Sequence, residues 1–310
     1  MKARASASLP EQNSHIPDTV PSATARDLHE TGFGHRIFRV TWYAVNIFLF
    51  AALLAVLWAV AREYSTERYL KGFSDAIIPF SAPPTQKVQA ILNWMGHTPA
   101  RFDQAPASMA DDRDPTDTLN YASLLSVCGT ATNAFLNLAD TGGLTVRRLL
   151  LLDANRTTVH VVAEVLIDER WIVADPVFHT IFRGTDGGTL TSQQLASPAV
   201  FHTATQNIPN YLPTYTFDRA VHVHLSRFGP VGRWVRNTWG IPGWEGRPVL
   251  SLIMERESLE LFVVFAFVAL CLLVLRSVLR WYGETRLGIR IEHMHRRLFR
   301  AGGLLFKPAK

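Results

Sequence analysis

Cys128, His160 and Asp175 follow one another along the chain in the order of a nucleophile, a base and an orienting acid. A thiol attacks a carbonyl carbon only as a thiolate, so it needs a group that accepts its proton. A neighbouring imidazole can accept that proton and later pass it to the leaving group, while a carboxylate on the far ring nitrogen fixes the tautomer. Together the three residues predict thiol-dependent acyl transfer.

Each of these residues also has a simpler structural explanation. Cys128 can be a small apolar member of a buried helix stripe, and His160 can be one polar residue on a strand. Asp175 before Pro176 can be a turn former. The chain has two cysteines, and Cys271 lies inside an apolar block, so Cys128 has no disulfide partner in the polar part of the chain. An unpaired thiol in an oxidising compartment must be buried or used, which favours the functional interpretation.

The helix that would carry the thiol is visible in the spacing of apolar residues. A helical pattern covers about Cys128–Ala139 and ends at Gly142-Gly143, a typical C-terminal cap. If Cys128 is the first residue of this helix, the helix dipole favours the thiolate. If residues 121–127 extend the helix upstream, Cys128 lies in its middle and gains no such stabilisation.

Three apolar runs of strand character follow the helix: Val146–Leu152, Val159–Ile167 and Trp171–Val177. Asp168-Glu169, between the last two, is a short hairpin signal. With a two-residue loop, His160 and Asp175 fall on the same sheet face as diagonal neighbours, about 7–8 Å apart at their Cα atoms. One more residue in the loop would place them on opposite faces.

An earlier helix is predicted after Pro83-Pro84, with Thr85 as its N-cap. Its apolar residues, at helical spacing, are Val88, Ile91, Leu92 and Met95. Helices that lead into an antiparallel sheet predict an α+β domain, with the cysteine-bearing helix packed on the sheet.

Two long apolar blocks flank this domain. The first, at residues 41–61, has no charge, and the second has Glu260 as its only charge between residues 259 and 275. A helix crosses a bilayer with about 20 apolar residues, and about 17 suffice. We therefore predict the following organisation: an unstructured tail at 1–40, transmembrane helices at 41–61 and 259–276, a soluble domain at 62–258 and a basic tail at 277–310.

Two other interpretations of the apolar blocks are less favoured. Neither block has the polar stripe of a helix in a soluble core. Ala59-Val60-Ala61 resembles a signal-peptide cleavage site, but the apolar run before it is longer than such peptides have, which favours an uncleaved anchor.

The distribution of charge predicts an orientation. Residues 276–310 hold nine Lys or Arg against two Glu, whereas residues 62–275 hold 17 basic and 20 acidic residues. Basic flanks stay in the cytoplasm, so we expect both termini there and the central domain outside the cytoplasmic membrane. The basic tail is expected to contact anionic lipids. No nucleic-acid motif accompanies it, so nucleic acid is not an expected partner.

Candidate metal ligands are weaker. One loop crowds four aspartates whose spacing matches no EF-hand: Asp111, Asp112, Asp114 and Asp117. His222 and His224 share one face of a possible strand but lack an evident third ligand. No metal or cofactor is predicted.

Four segments together carry a family resemblance: Cys128–Phe135 (CGTATNAF), Gly143–Arg148 (GLTVRR), His160–Val165 (HVVAEV) and Trp171–Pro176 (WIVADP). In this order they make the stretch from about Leu125 to Val177 similar to the core of the transglutaminase-like superfamily, which shares the papain-like Cys-His-Asp arrangement. Two positions depart from the family pattern. Ser126 stands where Gly is frequent, near the nucleophile, and Val162 stands where Trp is frequent, at the wall of the substrate groove.

The resemblance implies that Cys128 is the nucleophile, His160 the general base and acid, and Asp175 the orienting group. It also implies that Glu164 and Trp171 are supporting residues. The expected function is that of a membrane-anchored cysteine acyl-transferase or amidase/peptidase acting on amide bonds of a peptide or protein in a bacterial cell envelope. The alternative is a catalytically inactive domain that serves as a binding or assembly scaffold in an envelope or polysaccharide-export system. The intact set of three residues favours the enzyme.

Overall fold

The computed structural model describes residues 25–97, 102–109, 114–222 and 247–289. The chain divides into two compact units, one formed by Met1–Leu49 with Cys271–Lys310 and the other by Phe50–Leu270. The second unit contains all the strands that the structure describes, and it positions the candidate site.

The first helix, α1, is much longer than the predicted membrane span. It covers Ala25–Ile77, 53 residues, or about 80 Å at 1.5 Å per residue. Residues 25–40, predicted as an unstructured tail, belong to this helix in the structure, and residues 62–77, predicted as part of the soluble domain, continue it. The helix continues because its last turns are buried: Leu70 and Ser74 are fully enclosed, and the Ser74 hydroxyl donates to the carbonyl of Leu138 at 2.8 Å.

The first unit has a small core of its own. Phe38 and Trp42 are buried there, and the Arg276 guanidinium lies 5.5 Å from the centre of the Trp42 ring. Nε of Arg276 donates to Asn46 Oδ1 at 3.0 Å. Asn46, the strongly polar residue of the first apolar block, thus has a partner within the same unit.

Two helices in the described part of the chain are long and apolar enough to cross a membrane. One is the part of α1 at Gly34–Ile77, and the other spans Glu257–Thr285, here called α9. Both present large apolar side chains at their surfaces, among them Phe48 and Leu57 on α1 and Phe267 and Val274 on α9.

The second unit is built on a five-stranded antiparallel sheet with the order β4-β3-β2-β1-β5. The strands are β1 Val146–Leu152, β2 Thr158–Ile167, β3 Arg170–Asp175, β4 Thr180–Ile181 and β5 Ala220–His222. The three predicted strands are present with ends shifted by at most two residues. The predicted α+β architecture is confirmed, with a helix packed on an antiparallel sheet.

The β2–β3 hairpin has the predicted two-residue loop. Ile167 pairs with Arg170, and Ala163 pairs with Ala174 in the same register. Asp168 and Glu169 have φ angles of 47° and 62°, and positive φ at both central residues is what the tightest hairpin turns require. This register sets which residues of β2 and β3 share a face.

Helices cover both faces of the sheet. On one face pack α2, Pro84–His97, and α5, Cys128–Thr141, whose buried residues include Ile91 and Phe135. The other face is covered by α6, Ser192–Leu195, and α7, Pro198–Thr205, together with residues 208–217. The remaining helices of this unit are short: a 3₁₀ turn at Ala107–Met109, α3 Pro115–Thr118, α4 Ala122–Leu125 and α8 Pro248–Glu255.

Pro84 is the first residue of α2, whereas Thr85 was predicted as the residue before the helix. Proline is well suited to the first helical position because its fixed φ is helical and its missing N–H would have no partner there.

A network of buried charged groups ties the segment between α8 and α9 to α5. Arg256 is 3% exposed and donates to Asn137 Oδ1 at 2.7 Å, to Glu63 Oε1 at 2.7 Å and to Asp140 Oδ2 at 2.9 Å. Its neighbour Glu255 accepts from Arg148 at 2.5 Å. The network therefore links three helices of the second unit.

Candidate active site

Cys128 is the first residue of α5. The preceding residue, Val127, is extended, with φ −96° and ψ 129°, and caps the helix without a side-chain hydrogen bond. The short helix α4 ends at Leu125, so the possibility that residues 121–127 extend α5 upstream is excluded. At this position the unpaired N–H groups and the dipole of a 14-residue helix both favour a negative charge on the thiol.

The imidazole of His160 is bonded to Asp175. The distance between His160 Nε2 and Asp175 Oδ2 is 2.7 Å, and both side chains are almost completely buried, at 1% and 0% exposure. The ring N–H donates to the carboxylate, which fixes the tautomer. The predicted same-face arrangement of the two residues thus brings them into direct contact.

Asp175 is itself held by the backbone that follows it. Its Oδ1 accepts from the N–H of Val177 at 3.0 Å and from the N–H of Phe178 at 3.3 Å. Such bonds are typical of an aspartate that forms a turn, which is the structural role that the sequence before Pro176 suggests for Asp175. Here one carboxylate oxygen fixes the turn and the other orients His160, so the two roles coexist.

The other ring nitrogen, His160 Nδ1, is left for the thiol. Nδ1 is buried, and no hydrogen bond of standard geometry reaches it from the part of the chain that the structure describes. The Cys128 thiol nevertheless interacts with the ring. Cysteine–histidine pairs in unliganded sites are commonly loose and tighten when substrate binds.

The pKa values of the pair move in opposite directions. Interaction with His160 is the largest influence on the Cys128 thiol and lowers its pKa; burial opposes this effect, and the backbone amides of Val161 and Gly129 add to the lowering. Burial lowers the pKa of His160, but its interactions with Asp175 and Cys128 outweigh burial and raise the pKa to about 9. The geometry therefore favours a thiolate beside an imidazolium.

Aromatic rings enclose the imidazole, and no pattern in the sequence predicts them. The Tyr215 ring stacks on His160 with centroids 4.2 Å apart and an interplanar angle of 7°. Tyr211 and Phe178 contact the same ring edge to face, at 6.2 Å and 5.9 Å. The two tyrosines follow His160 by more than fifty positions, and no periodicity or motif relates them to it.

Glu164 and Trp171, the predicted supporting residues, belong to a neighbouring polar cluster. Glu164 is fully buried and accepts from Arg147 Nε at 2.7 Å, His222 Nε2 at 2.8 Å and Ser192 Oγ at 2.6 Å. The Arg147 guanidinium stacks 3.8 Å from the centre of the Trp171 ring. Among the contacts of the described residues, none joins Glu164 or Trp171 directly to the three candidate catalytic side chains.

The residues considered as metal ligands have other partners. His222 bonds to Glu164, and Asp114 caps α3 and pairs with Arg62 at 3.2 Å. His224, Asp111 and Asp112 lie outside the described residues. The described ranges contain no group of three or more His, Cys, Asp or Glu that could hold a metal ion.

Comparison with known protein families identifies the part of the chain that carries these three residues. The model of the transglutaminase-like superfamily matches residues 71–176, a range that includes Cys128, His160 and Asp175 and excludes Tyr211 and Tyr215. No curated protein and no solved structure matches the chain. Residues 71–176 are therefore a transglutaminase-like superfamily domain.

Proposed function

We propose that the protein is a membrane-anchored cysteine acyl-transferase or amidase/peptidase that acts on amide bonds of a peptide or protein in a bacterial cell envelope. The observation that carries this proposal is the order of contacts Asp175–His160–Cys128, with the thiol at a helix N-terminus and the imidazole bonded to a buried carboxylate at 2.7 Å. A domain that only bound a partner would have no use for a depressed thiol pKa.

The arrangement supports a two-step reaction. The Cys128 thiolate attacks the carbonyl carbon of an amide and forms a C–S bond, and the backbone N–H of Cys128 is the natural first donor to the oxyanion. The His160 imidazolium gives its proton to the nitrogen as the C–N bond breaks, which leaves a thioester and a free amine. Water or a second amine then attacks the thioester, His160 takes its proton, and the C–S bond breaks to restore the thiolate.

The membrane setting rests on the two long helices. The most apolar windows of α1 and α9 have mean hydropathies of 2.5 and 2.8, and only 22% and 11% of their residues are buried in the structure. Soluble proteins rarely expose apolar surface on this scale. With the basic flanks, this supports a cytoplasmic membrane that both helices cross, with the domain outside the cytoplasm and both termini inside.

The proposal is tested by the pH dependence of iodoacetamide alkylation in the full-length protein. Cys271→Ala makes Cys128 the sole thiol of the chain. In this background we expect Cys128 to react well below the ordinary thiol pKa of about 8.5. His160→Ala should reduce the rate at pH 7 about tenfold or more, because the thiolate loses its cationic partner.

The matched control is His202→Ala, which removes an exposed histidine of α7 in the same domain and should leave the profile unchanged. If Cys128 does not react, or if His160→Ala leaves its pH profile unchanged, the enzyme hypothesis is contradicted. The hypothesis of a binding scaffold then remains. If the thiol is reactive, the next step is to assay amine release from peptide amides. A peptide amide whose cleavage is abolished by Cys128→Ala is a substrate.

A further inference from the structure

Tyr215 makes the closest aromatic contact with the candidate base. Its ring lies parallel to the His160 imidazole, at 4.2 Å and 7°. By contrast, Tyr211 meets the imidazole at 90° and Phe178 at 67°. Tyr215 thus covers a face of the imidazole, whereas the other two rings approach it at steep angles.

Hydrogen bonding alone does not fix the orientation of the imidazole, so the rings packed against it matter. Asp175 fixes Nε2 at 2.7 Å, but Nδ1 has no standard hydrogen bond from the residues that the structure describes. The last torsion of a histidine side chain is soft, so a single hydrogen bond does not by itself stop the ring from rocking, and packing must do so. A parallel ring at stacking distance blocks that motion and keeps water from the covered face.

Tyr215 is firmly held although its own side chain is only half-buried. Its backbone N–H donates to the carbonyl of Leu212 at 3.1 Å, which closes a tight turn. Tyr211 at the start of the turn packs against Phe178 at 4.6 Å, and Phe217 just after it is buried. The turn is therefore anchored on both sides of Tyr215.

We propose that Tyr215 is a positioning residue of the candidate site, whose ring holds the His160 imidazole in the orientation that joins Asp175 to Cys128. This inference rests on the proposed function, and it adds a residue from outside the range that matches the superfamily. The electron-rich face of the phenol ring also favours a cation beside it, so the stack supports the imidazolium form.

The hydroxyl of Tyr215 has no part in this role. Burial raises the pKa of Tyr215, and the nearby charges of Cys128 and Asp175 raise it further; burial and Asp175 likewise raise the pKa of Tyr211. Both phenols therefore stay neutral at neutral pH. The charged groups that interact with His160 are Asp175 from β3 and Cys128 from α5, and Tyr215 contributes its ring alone.

The test compares Tyr215→Phe with Tyr215→Leu in the full-length Cys271→Ala protein. The phenylalanine keeps the stacked ring and should reproduce the alkylation profile of Cys128. The leucine removes the ring, and we expect its reaction rate at pH 7 to fall about threefold to tenfold, with the midpoint moved towards that of an ordinary thiol. A purely structural role would change the stability of the Tyr215→Leu protein but would leave the midpoint of the alkylation profile of the folded protein in place.

Phe102→Leu is the matched control, because the Phe102 ring packs against the Tyr121 ring in the same domain, with centroids 5.5 Å apart and an interplanar angle of 35°. It should leave the profile unchanged. If Tyr215→Leu also leaves it unchanged while His160→Ala abolishes low-pH reactivity, the inference on Tyr215 fails and the proposed function stands. If His160→Ala has no effect, both fail.

A second measurement needs no substitution at Tyr215. In the unmodified protein labelled at histidine, the ring current of Tyr215 should move the carbon-bound imidazole protons of one histidine strongly upfield, and His160→Ala should remove that signal. An imidazole spectrum without such a signal would overturn the stack.

Discussion

The three candidate catalytic residues form a unit whose charges depend on one another. His160 has a raised pKa because Asp175 and Cys128 outweigh its burial, and Cys128 has a lowered pKa chiefly because of His160. The ion pair is therefore the dominant form from the lowered thiol pKa up to about 9. Acyl transfer from an amide needs both members of that pair, the thiolate as nucleophile and the imidazolium as proton donor to the leaving amine.

This coupling predicts different pH profiles for acyl transfer and for alkylation. Acyl transfer should rise as Cys128 ionises and fall again as His160 loses its proton at about pH 9, because the leaving amine then has no proton donor. Alkylation needs only the thiolate, so its rate should not fall above that pH. Measuring kcat/KM and the alkylation rate on one preparation checks this; parallel profiles on the alkaline side would contradict it.

The same pKa shift makes a contribution to stability with a defined sign. The pKa of His160 is raised in the folded state from the ordinary 6.5 to about 9. Its contribution is therefore fully present below pH 6.5 and is lost as the pH rises through about 9. The depressed pKa of Cys128 acts in the opposite sense and offsets part of that loss, since a thiolate favoured by the fold stabilises it at high pH.

At the scale of elements, the hairpin and α5 were predictable because their signals are local. The two-residue turn at Asp168-Glu169 and the alternating apolar residues of β2 and β3 set the register that places His160 beside Asp175. The sequence does not decide whether α5 starts at Cys128, since nothing in residues 121–127 excludes a helix. The structure resolves it with a break after Leu125, where the Thr130 hydroxyl donates to the carbonyl of Leu124.

Other elements could not be predicted because they depend on contacts between distant segments. The last turns of α1 are rich in polar residues, so their sequence does not indicate a buried helix. They are helical because Leu70 is buried against the domain core. Tyr215 reaches His160 through a turn, and no repeat or motif in the sequence relates the two residues. Val162, which stands where the superfamily often has Trp, is fully buried in the core.

The strained hairpin turn gives a prediction about stability. Glu169 has a φ of 62°, a conformation that costs a residue with a Cβ about 1–2 kcal/mol. Glycine adopts it freely but loses about 0.5–1 kcal/mol more backbone entropy on folding. We expect Glu169→Gly to raise the free energy of unfolding by about 0.5–1 kcal/mol, with unchanged Cys128 reactivity.

Urea unfolding of the detergent-solubilised protein measures this change. Glu169→Ala is the control, because it removes the same carboxylate and keeps the Cβ, and it should give no gain. Equal effects of the two variants would show that the turn is not strained.

At the scale of the whole molecule, the domain depends on buried charges at the start of α9. Arg256 satisfies three acceptors on two helices, Glu63, Asn137 and Asp140. Removing one member of a buried ion pair leaves the others desolvated and unpaired, at a cost of about 3–5 kcal/mol. We therefore expect Arg256→Ala to lower the free energy of unfolding by that amount.

The control for Arg256 is Arg62→Ala. Arg62 pairs with Glu257 at 2.9 Å, but the two side chains are 33% and 55% exposed, so its loss should cost about 1 kcal/mol or less. Thermal unfolding in detergent compares the two variants. Similar small losses would show that water already screens the Arg256 network.

The proposed topology makes opposite predictions for the two sides of the membrane. With Cys128→Ser and Cys271→Ala the chain has no thiol. In this background the first variant, Asn155→Cys, places a single cysteine in the exposed turn between β1 and β2. The second variant, Lys310→Cys, places it in the basic tail. Because basic flanks stay in the cytoplasm, a maleimide that cannot cross the cytoplasmic membrane should label the first variant in spheroplasts and spare the second. Lysis should make both reactive, which controls for burial. The reverse pattern would put the candidate site in the reducing cytoplasm, where a cysteine without a disulfide partner needs no protection. The argument from the redox setting of Cys128 would then fail, but the geometry of the site would not be affected.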